Sequence, residues 1–326
     1  MSLKNKVLQI LEENRSSCIS GQQMAEKFNV SRAAVWKAIE ALRKEGYEIH
    51  STPNKGYQLF ASSDILSKEA IKHFLKKEYR AFDVFVYDTI DSTNNAAKKI
   101  AVDGAAEGSI IIADTQTAGR GRMGRSFYSP AQSGIYMSVI LRPKTDISDT
   151  VLLTTAAGVA TCRAIEKVCK KSCAIKWLND IYIEEKKVCG ILTEAMTNCE
   201  TGRVDSIVVG IGVNFKTPPD AFPKEIQPRA GSIYTDEKPA VTRSQLIAQI
   251  INELMDIYET FTQREFLKEY KSRSFVLGKQ ISYFAQNNWH EALAIDISKD
   301  GGLIVQDAAG NVSTLHSGEI SLRNIR

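Results

Sequence analysis

The 326-residue sequence lacks the features that mark membrane, secreted and disulfide-linked proteins. No apolar run approaches the roughly 20 residues that a membrane-spanning helix needs. The N-terminal stretch KNKVLQILEEN is amphipathic and soon acidic, unlike a secretory signal peptide. The six cysteines include no C-x-x-C pair, and the helical spacing of Cys162, Cys169 and Cys173 favours core positions. We therefore expect a reduced, cytoplasmic protein without a membrane segment.

Common catalytic signatures are also missing. The four histidines are scattered, and no set of His, Cys, Asp or Glu residues has metal-ligand spacing, so we expect no metal held by side chains alone. Neither G-x-S-x-G nor a P-loop lysine motif occurs. The net charge of +4 is too small to indicate nucleic-acid binding by itself. Residues 1–63, however, carry nine Lys and Arg against six Asp and Glu, so the basic excess is concentrated there.

Residues 1–63 contain three helical patterns followed by a hairpin signal. Ser20 with Gln23 forms a capping box that opens the second helix, and Ser31 caps the third. Alternating residues then flank the turn signal Pro-Asn-Lys-Gly at 53–56. A short helix, a tight turn, a third helix and a hairpin predict a winged helix-turn-helix domain.

The third helix of this domain is expected to present its N-terminal end to DNA, where recognition helices contact base edges. A lysine at the hairpin tip is suited to a phosphate contact. The predicted DNA contacts are Ser31, Arg32, Ala33, Trp36, Lys37 and Lys55. The alternative is a small helical interaction module, because winged helices also mediate protein contacts.

The rest of the chain divides into two patterns. Residues 64–274 alternate between strand and helix patterns, which predicts a central mixed α/β domain. Residues 275–326 hold short alternating strands separated by turn signals, which predicts a small C-terminal β-barrel. We therefore expect an α+β protein of three domains.

The stretch TAGRGRMGR at 117–125 satisfies G-x-G-x-x-G, the pattern of a dinucleotide-binding turn. Such a turn needs a helix that begins inside it, but RSFYSPAQSG follows here without helical periodicity. Arginine forks suit carboxylate and phosphate oxygens, and glycines let a chain fold closely over a ligand. The pattern predicts a basic lid over an anionic ligand, with a solvated basic loop as the alternative.

Further polar clusters stand at predicted strand ends. They are DSTN at 91–94, KWLND at 176–180, Lys187 shortly before Gly190, and GIGVN at 210–214. Taken alone, DSTN is better explained as a helix N-cap. A site rich in Lys, Arg, Asn and Gln without an obvious nucleophile suits the stabilisation of charge on a transferring phosphoryl group.

Together these stretches resemble a known family. In their order and spacing, DSTN, TQTAGRGRMGR (115–125), KWLND, KKVCGILTE (186–194) and GIGVN resemble the bifunctional biotin–protein ligases of the BirA type, which also repress the biotin operon. Any one motif is weak, but the ordered set is highly specific, and the resemblance covers essentially the whole chain. One departure is Leu178, where the family usually has proline, and that position shapes a turn more than the chemistry.

The resemblance implies a reaction in two steps. Biotin and Mg-ATP give biotinyl-5′-AMP and pyrophosphate, and a lysine of a biotin carboxyl carrier protein domain then takes the biotinyl group. Biotin would contact Ser92, Thr93, Asn94, Gln116, Arg120, Gly121, Arg122 and Lys187. ATP would contact Asn179, Asn214 and Arg323, and the catalytic residues would be Lys187, Arg120, Arg122 and Asp180. Asp180 is equally suited to a turn cap, and Arg323 to a surface arginine.

The resemblance also implies partners and a domain plan. Residues 1–63 would bind operator DNA, residues 64–274 would be the catalytic domain, and residues 275–326 would be SH3-like. A homodimer promoted by biotinyl-AMP would bind the operator. Two alternatives remain open: a lipoate–protein ligase, whose Gly-rich, His-containing lid motif is missing here, and a ligand-sensing transcription factor without catalysis.

Overall fold

The structure is a computed structural model that describes residues 2–15, 17–143, 149–197, 204–235, 239, 241–285 and 288–322. The chain divides into two compact units, residues 1–81 with 238–249 and residues 82–237 with 250–326. The domain limits expected after residues 63 and 274 stay a prediction. No helix of the described ranges is long and apolar enough to cross a membrane.

The first unit begins with three helices and a hairpin. These elements are α1 (Leu3–Glu13), α2 (Gly21–Phe28), α3 (Arg32–Lys44), β1 (Ile49–Thr52) and β2 (Gly56–Leu59). The Ser20–Gln23 capping box and the Ser31 cap are both present, and Asn29 ends α2 in the left-handed region at φ 53°. β1 and β2 pair antiparallel, and the apolar faces of the three helices share one buried core. The winged helix-turn-helix prediction is confirmed.

A short helix, α4 (Lys68–Phe74), follows the hairpin. The Ser-rich stretch at 61–70 leads into this helix, where Ser67 is the N-cap and Ala70 is buried. Farther along the chain, α7 (Arg243–Glu259) begins at a capping box formed by Thr242 and Gln245, as the sequence predicts.

The second unit is built on a seven-stranded mixed sheet in the order β3-β4-β5-β9-β8-β7-β6. Its strands are β3 (Val84–Ile90), β4 (Ile110–Gln116), β5 (Gly134–Leu141), β6 (Ala174–Lys176), β7 (Asp180–Ile183), β8 (Lys186–Thr197) and β9 (Val204–Asn214). β3 and β4 pair parallel and the other neighbours antiparallel. The helices of this unit include α5 (Thr93–Val102), α6 (Asp149–Ala164) and α8 (Phe266–Arg273). The α+β class is confirmed.

The end of α6 departs from the sequence expectation. A π-helical turn, Ile165–Cys169, continues it, and Lys170 then ends the helix in the left-handed region at φ 57°. Cys173 therefore lies beyond the helix, although the spacing predicts one helical face for Cys162, Cys169 and Cys173. All three thiols are buried and free, as expected for core positions.

The last part of the chain forms a second sheet. Its strands are β10 (Gln280–Ala285), β11 (Asn288–Ile297), β12 (Leu303–Gln306), β13 (Val312–Leu315) and β14 (Ile320–Leu322). They pair antiparallel in the order β13-β12-β11-β10-β14. A five-stranded antiparallel sheet is thus present, whereas closure into an SH3-like barrel is not confirmed.

Candidate active site

A cavity of about 240 Å³ lies in the second unit, between the GRGRMGR loop, the turn from β6 to β7, and residues 318–320. A smaller cavity of about 30 Å³ adjoins it. The two have in common the lining residues Arg120, Phe127, Gly190 and Leu192. The motifs at 91–94 and 210–214, which are more than a hundred residues apart in the sequence, therefore meet at one place.

The predicted ligase residues within the described ranges all line one of these cavities. The smaller cavity is lined by Ser92, Thr93, Asn94, Gln116 and Arg120. The larger one is lined by Arg120, Gly121, Arg122, Asn179, Asp180, Lys187 and Asn214. Arg323 lies outside the described residues. The amides and hydroxyls thus line the smaller cavity and most of the predicted cations line the larger one, with Arg120 in both linings.

Hydrogen bonds fix the side chains of the smaller cavity. Gln116 Oε1 accepts from the Thr93 backbone N–H at 2.8 Å, and Gln116 Nε2 donates to Ser129 Oγ at 2.9 Å. Ser92 occupies the N-cap position of α5, yet its side chain makes no capping hydrogen bond. The DSTN segment thus lines a cavity rather than serving as a side-chain cap.

The orientation of Asn94 is fixed from both sides. Ser138 Oγ donates to Asn94 Oδ1 at 2.6 Å, and Asn94 Nδ2 donates to the Leu192 carbonyl at 3.1 Å. Gly210 on β9 leaves room for this side chain, because a Cβ there would lie 2.1 Å from Asn94 Oδ1. A glycine in a strand interior is a sequence signal of such close approach.

The GRGRMGR segment is a loop with one tight turn, Arg122–Gly124. Met123 and Gly124 have φ values of 55° and 75°. The residues that follow the loop are not helical. This conformation confirms that the segment is not a dinucleotide-binding turn.

Each arginine of the loop has a partner. Arg120 Nη1 donates to Asn95 Oδ1 at 3.0 Å, and Arg125 forms an ion pair with Glu319. Arg122 Nη1 donates to Asn179 Oδ1 at 2.9 Å, and its Nη2 donates to the Gly318 carbonyl at 3.0 Å.

Arg122 is the most enclosed of the three, and burial lowers the pKa of its guanidinium although the charge of Asp180 opposes this. The loop therefore lines the larger cavity, and whether it acts as a lid stays a prediction.

Charged groups of opposite sign meet on the floor of the larger cavity. Lys187 Nζ on β8 lies 2.6 Å from Asp180 Oδ1, at the first residue of β7. Lys176, the last residue of β6, also lines this cavity, and burial lowers the pKa of its ammonium group. The cavity thus presents several cations to a ligand, of which Lys187 has a carboxylate beside it.

Two asparagines flank these charges. Asn179 Nδ2 donates to the Ile191 carbonyl at 2.8 Å, so its Oδ1 is oriented toward Arg122. Asn214, the last residue of β9, donates from Nδ2 to the Gly231 carbonyl at 2.9 Å. Each amide is therefore held by a main-chain carbonyl and presents a fixed polar edge to the cavity.

Some site residues are not predicted by the sequence. Gly318, Glu319 and Ile320 line the larger cavity, and Glu319 is 194 residues from its partner Arg125. The SGEI stretch carries no recognisable signal. Phe127 contacts the sheet where a Cβ on Gly212 would lie 2.7 Å from its ring, and the SFYS sequence offers only its apolar character as a signal.

The predicted DNA contacts lie in the first unit. Ser31, Arg32, Ala33, Trp36 and Lys37 are exposed at the N-terminal end of α3, and Lys55 is exposed in the turn between β1 and β2. Trp36 keeps 53% of its surface exposed. A large exposed aromatic beside basic residues is consistent with a contact surface.

Comparison with known proteins agrees with this arrangement. Residues 86–214 match the biotin/lipoate A/B protein ligase family, and residues 4–58 match an HTH domain. The chain is 35% identical over 324 residues to the bifunctional ligase/repressor BirA of Bacillus spizizenii, covering 98% of this chain and 99% of that protein. It is 30% identical over 312 residues to BirA of Escherichia coli, covering 94% and 93%.

A solved structure is similar as well. The biotin protein ligase from Aquifex aeolicus in complex with biotin and ATP has a TM-score of 0.63 and 27% sequence identity, covering 74% of this chain and 98% of that one. Both units thus have counterparts among ligases and HTH proteins. The chain belongs to the biotin/lipoate A/B protein ligase family and, within it, to the bifunctional ligase/repressor proteins of the BirA type.

Proposed function

We propose that the protein forms biotinyl-5′-AMP from biotin and ATP, transfers the biotinyl group to a carrier-protein lysine, and represses transcription in response to biotin. The observation that carries the ligase activity is the pair of adjoining cavities with Arg120 in both walls. The smaller cavity has amides and hydroxyls among apolar side chains, and the larger one has several cations among apolar and aromatic side chains. The uncharged polar groups suit the ureido ring of biotin, and the cations suit the phosphates of a nucleotide.

Biotin lies with its uncharged ureido ring among Ser92, Thr93, Asn94 and Gln116. These groups donate and accept hydrogen bonds without a net charge, as the ring requires. The carboxylate then points toward Arg120 and the larger cavity. There, Arg122 and Lys187 supply donors to the oxygens of the carboxylate and the α-phosphate.

In the first step a carboxylate oxygen of biotin attacks the α-phosphorus of ATP, and pyrophosphate leaves. Negative charge spreads over the phosphate oxygens, and Lys187 with Arg122 stabilises it. The nucleotide also contacts Asn179, Asn214 and Arg323. In the second step the carrier lysine amine attacks the acyl carbon, AMP leaves, and Asp180 takes the proton that the amine loses.

Mg²⁺ would arrive with ATP. Among the described residues that line the larger cavity, the carboxylates are Asp180 and Glu319, which pair with Lys187 and Arg125. Mg²⁺ in nucleotide sites is held largely by phosphate oxygens and water, with one or two carboxylates. The donor set fits that mode, in which the ion neutralises phosphate charge.

Regulation follows from the same intermediate. Biotinyl-AMP acts as corepressor by promoting a homodimer whose two winged helices bind two operator half-sites, and carrier protein relieves repression by consuming it. In this plan residues 1–63 bind DNA, residues 64–274 are the catalytic domain, and residues 275–326 form an SH3-like domain. The protein acts in the cytoplasm, where ATP, operator and carrier occur together.

The test is biotin-dependent exchange of radiolabelled pyrophosphate into ATP, with lipoate in a parallel reaction. Exchange with biotin, followed by labelling of one lysine in a carrier domain, supports the proposal. Exchange with lipoate alone favours a lipoate ligase. Biotin binding without any exchange favours a sensor without catalysis.

A further inference from the structure

Glu194 on β8 contacts Asn94, which lines the smaller cavity, and Arg120 of the GRGRMGR loop, called the lid below, although no site role is predicted for Glu194. Glu194 Oε2 accepts a hydrogen bond from Asn94 Nδ2 at 2.8 Å, and Oε1 accepts one from Lys98 Nζ at 3.0 Å. Arg120 Nη1 lies 3.4 Å from the same Oε1 atom. Burial raises the pKa of this carboxyl, but the bonds from Asn94 and Lys98 and the charges of Lys98 and Arg120 outweigh it and leave the pKa below its ordinary value. Glu194 is therefore an anion at neutral pH.

The partners of this carboxylate are not equivalent. Asn94 and Lys98 lie on α5 and make hydrogen bonds to Glu194. Arg120 lies on the lid, keeps 46% of its side chain exposed, and directs its hydrogen bond to Asn95 instead. Ion pairs with this exposure contribute at most a small stabilisation. Arg120 is therefore the partner that Glu194 releases most easily.

A second path connects the same pocket to the other end of the lid. Ser138 donates its hydroxyl proton to Asn94, and the same Oγ lies 2.8 Å from the Oγ1 atom of Thr93, whose backbone N–H donates to Gln116 Oε1. Thr93 Oγ1 donates to Gln116 Oε1 at 3.2 Å. Gln116 bonds to Ser129, whose Oγ donates to the Phe127 carbonyl at 2.9 Å. The pocket is thus bonded to both ends of the lid, and the Arg120 end is the weaker.

We propose that Glu194 is a positioning residue that holds Arg120 aside in the ligand-free protein and yields it to the anionic adenylate. This inference rests on the proposed ligase function. Lys98 weakens the ion pair between Glu194 and Arg120, because Lys98 and Arg120 compete for the Oε1 atom of Glu194. A ligand that needs Arg120 must first displace it from Glu194, and this lowers the ligand's apparent affinity.

Two substitutions should therefore act in opposite directions. Glu194→Gln keeps an acceptor for Asn94 but loses the charge, so Arg120 loses its ion-pair partner and biotinyl-AMP should leave up to about fivefold more slowly. Lys98→Met removes the competing cation, so Glu194 holds Arg120 more firmly and release should be faster by a similar factor. Glu253→Gln is the matched control, because Glu253 also lies between two cations, Lys167 and Arg163, and lines neither cavity.

A double-mutant cycle separates this role from a general change in charge. The release of biotinyl-AMP is measured by chase in the full-length protein, in wild-type and Arg120→Gln backgrounds. If Glu194 and Lys98 act through Arg120, their opposite effects vanish in the Arg120→Gln background. Effects that persist there, or that have the same sign, overturn the proposal.

A measurement on the ligand-free protein tests directly whether the Glu194–Arg120 ion pair restrains the lid. Hydrogen exchange at the Gly121 amide, which donates to the Arg125 carbonyl at 2.7 Å, should be faster in Glu194→Gln and slower in Lys98→Met. Unchanged exchange in both variants overturns the inference. A wild-type protein that forms no biotinyl-AMP would refute the ligase proposal instead, while the exchange data would still decide the role of Glu194.

Discussion

Lys187 Nζ lies 2.6 Å from Asp180 Oδ1, within the cavity that also contains Arg122. The pairing places a cation beside the carboxylate that we propose for the second step. When an anionic phosphate enters, Lys187 can exchange one anion for another over a short distance.

We predict that Lys187→Ala lowers the rate of adenylation about 10²- to 10³-fold, because a donor aimed at developing charge is lost. Pyrophosphate exchange measures this rate. Lys186→Ala is the matched control, since the neighbouring lysine donates to the Pro228 carbonyl at 2.7 Å and does not line the cavity. If Lys187→Ala exchanges pyrophosphate at the wild-type rate, Lys187 does not stabilise the transition state of adenylation.

We predict that Arg122→Gly releases biotinyl-AMP faster than wild type. The substitution removes the bonds to Asn179 and to the Gly318 carbonyl, which hold the loop over the larger cavity. Loosening the lid admits water and lets the intermediate escape. A chase experiment measures the release, with Arg264→Gly as a control at an exposed turn where φ is 56°. Equal or slower release would mean that the loop is not a lid.

We predict that Gly210→Ala raises the KM for biotin much more than it changes kcat. The new methyl group would lie 2.1 Å from Asn94 Oδ1 and must displace the amide from the smaller cavity. Gly158→Ala in α6 is the control, because its Cβ would meet its nearest neighbours at 3.6 Å, an ordinary contact. Steady-state kinetics give KM and kcat for biotin in each variant. Equal KM values in the two variants would contradict the close approach of Asn94 to Gly210.

The sequence predicts the motifs that line the two cavities, but it does not predict the ion pairs that the loop arginines make with Glu319 and Glu194. The cavity-lining motifs lie at strand ends and helix starts, where local patterns are readable from the chain. Glu319 and Glu194 were missed for another reason. Their partners Arg125 and Arg120 lie on the lid, and the pairing depends on how distant segments pack. The helical assignment of Cys173 failed because the left-handed residue Lys170 ends the helix three positions earlier.

We predict a pH-dependent stability from the contact between Glu166 and Arg273. Arg273 Nη1 and Nη2 donate to the two Glu166 oxygens at 2.6 and 2.8 Å, which holds the pKa of Glu166 below its ordinary 4.5. A depressed folded-state pKa gives stability that is present above pH 4.5 and lost as pH falls through the folded value.

Denaturant unfolding at pH 7 and at acidic pH measures this contribution. Glu166→Gln should lower the unfolding free energy by about 1 kcal/mol at pH 7 and by less in acid. The same loss at both pH values would show that the carboxylate charge is not involved.

We predict finally that biotinyl-AMP tightens operator binding through dimerisation. A single winged helix presents a small basic surface, so specific binding needs two copies on two half-sites. If the intermediate orders the lid and the lid forms part of the dimer interface, the coupling free energy is about 1–3 kcal/mol. Operator affinity and sedimentation with and without biotinyl-AMP measure it.

Salt dependence tests the DNA surface in the same assay. Lys55→Ala should reduce the salt slope by about one for each DNA phosphate that this lysine neutralises, whereas Lys6→Ala, on the exposed side of α1, should leave it unchanged. If operator affinity and sedimentation mass are the same with and without biotinyl-AMP, then biotinyl-AMP does not control DNA binding. A repressor would then need a different signal.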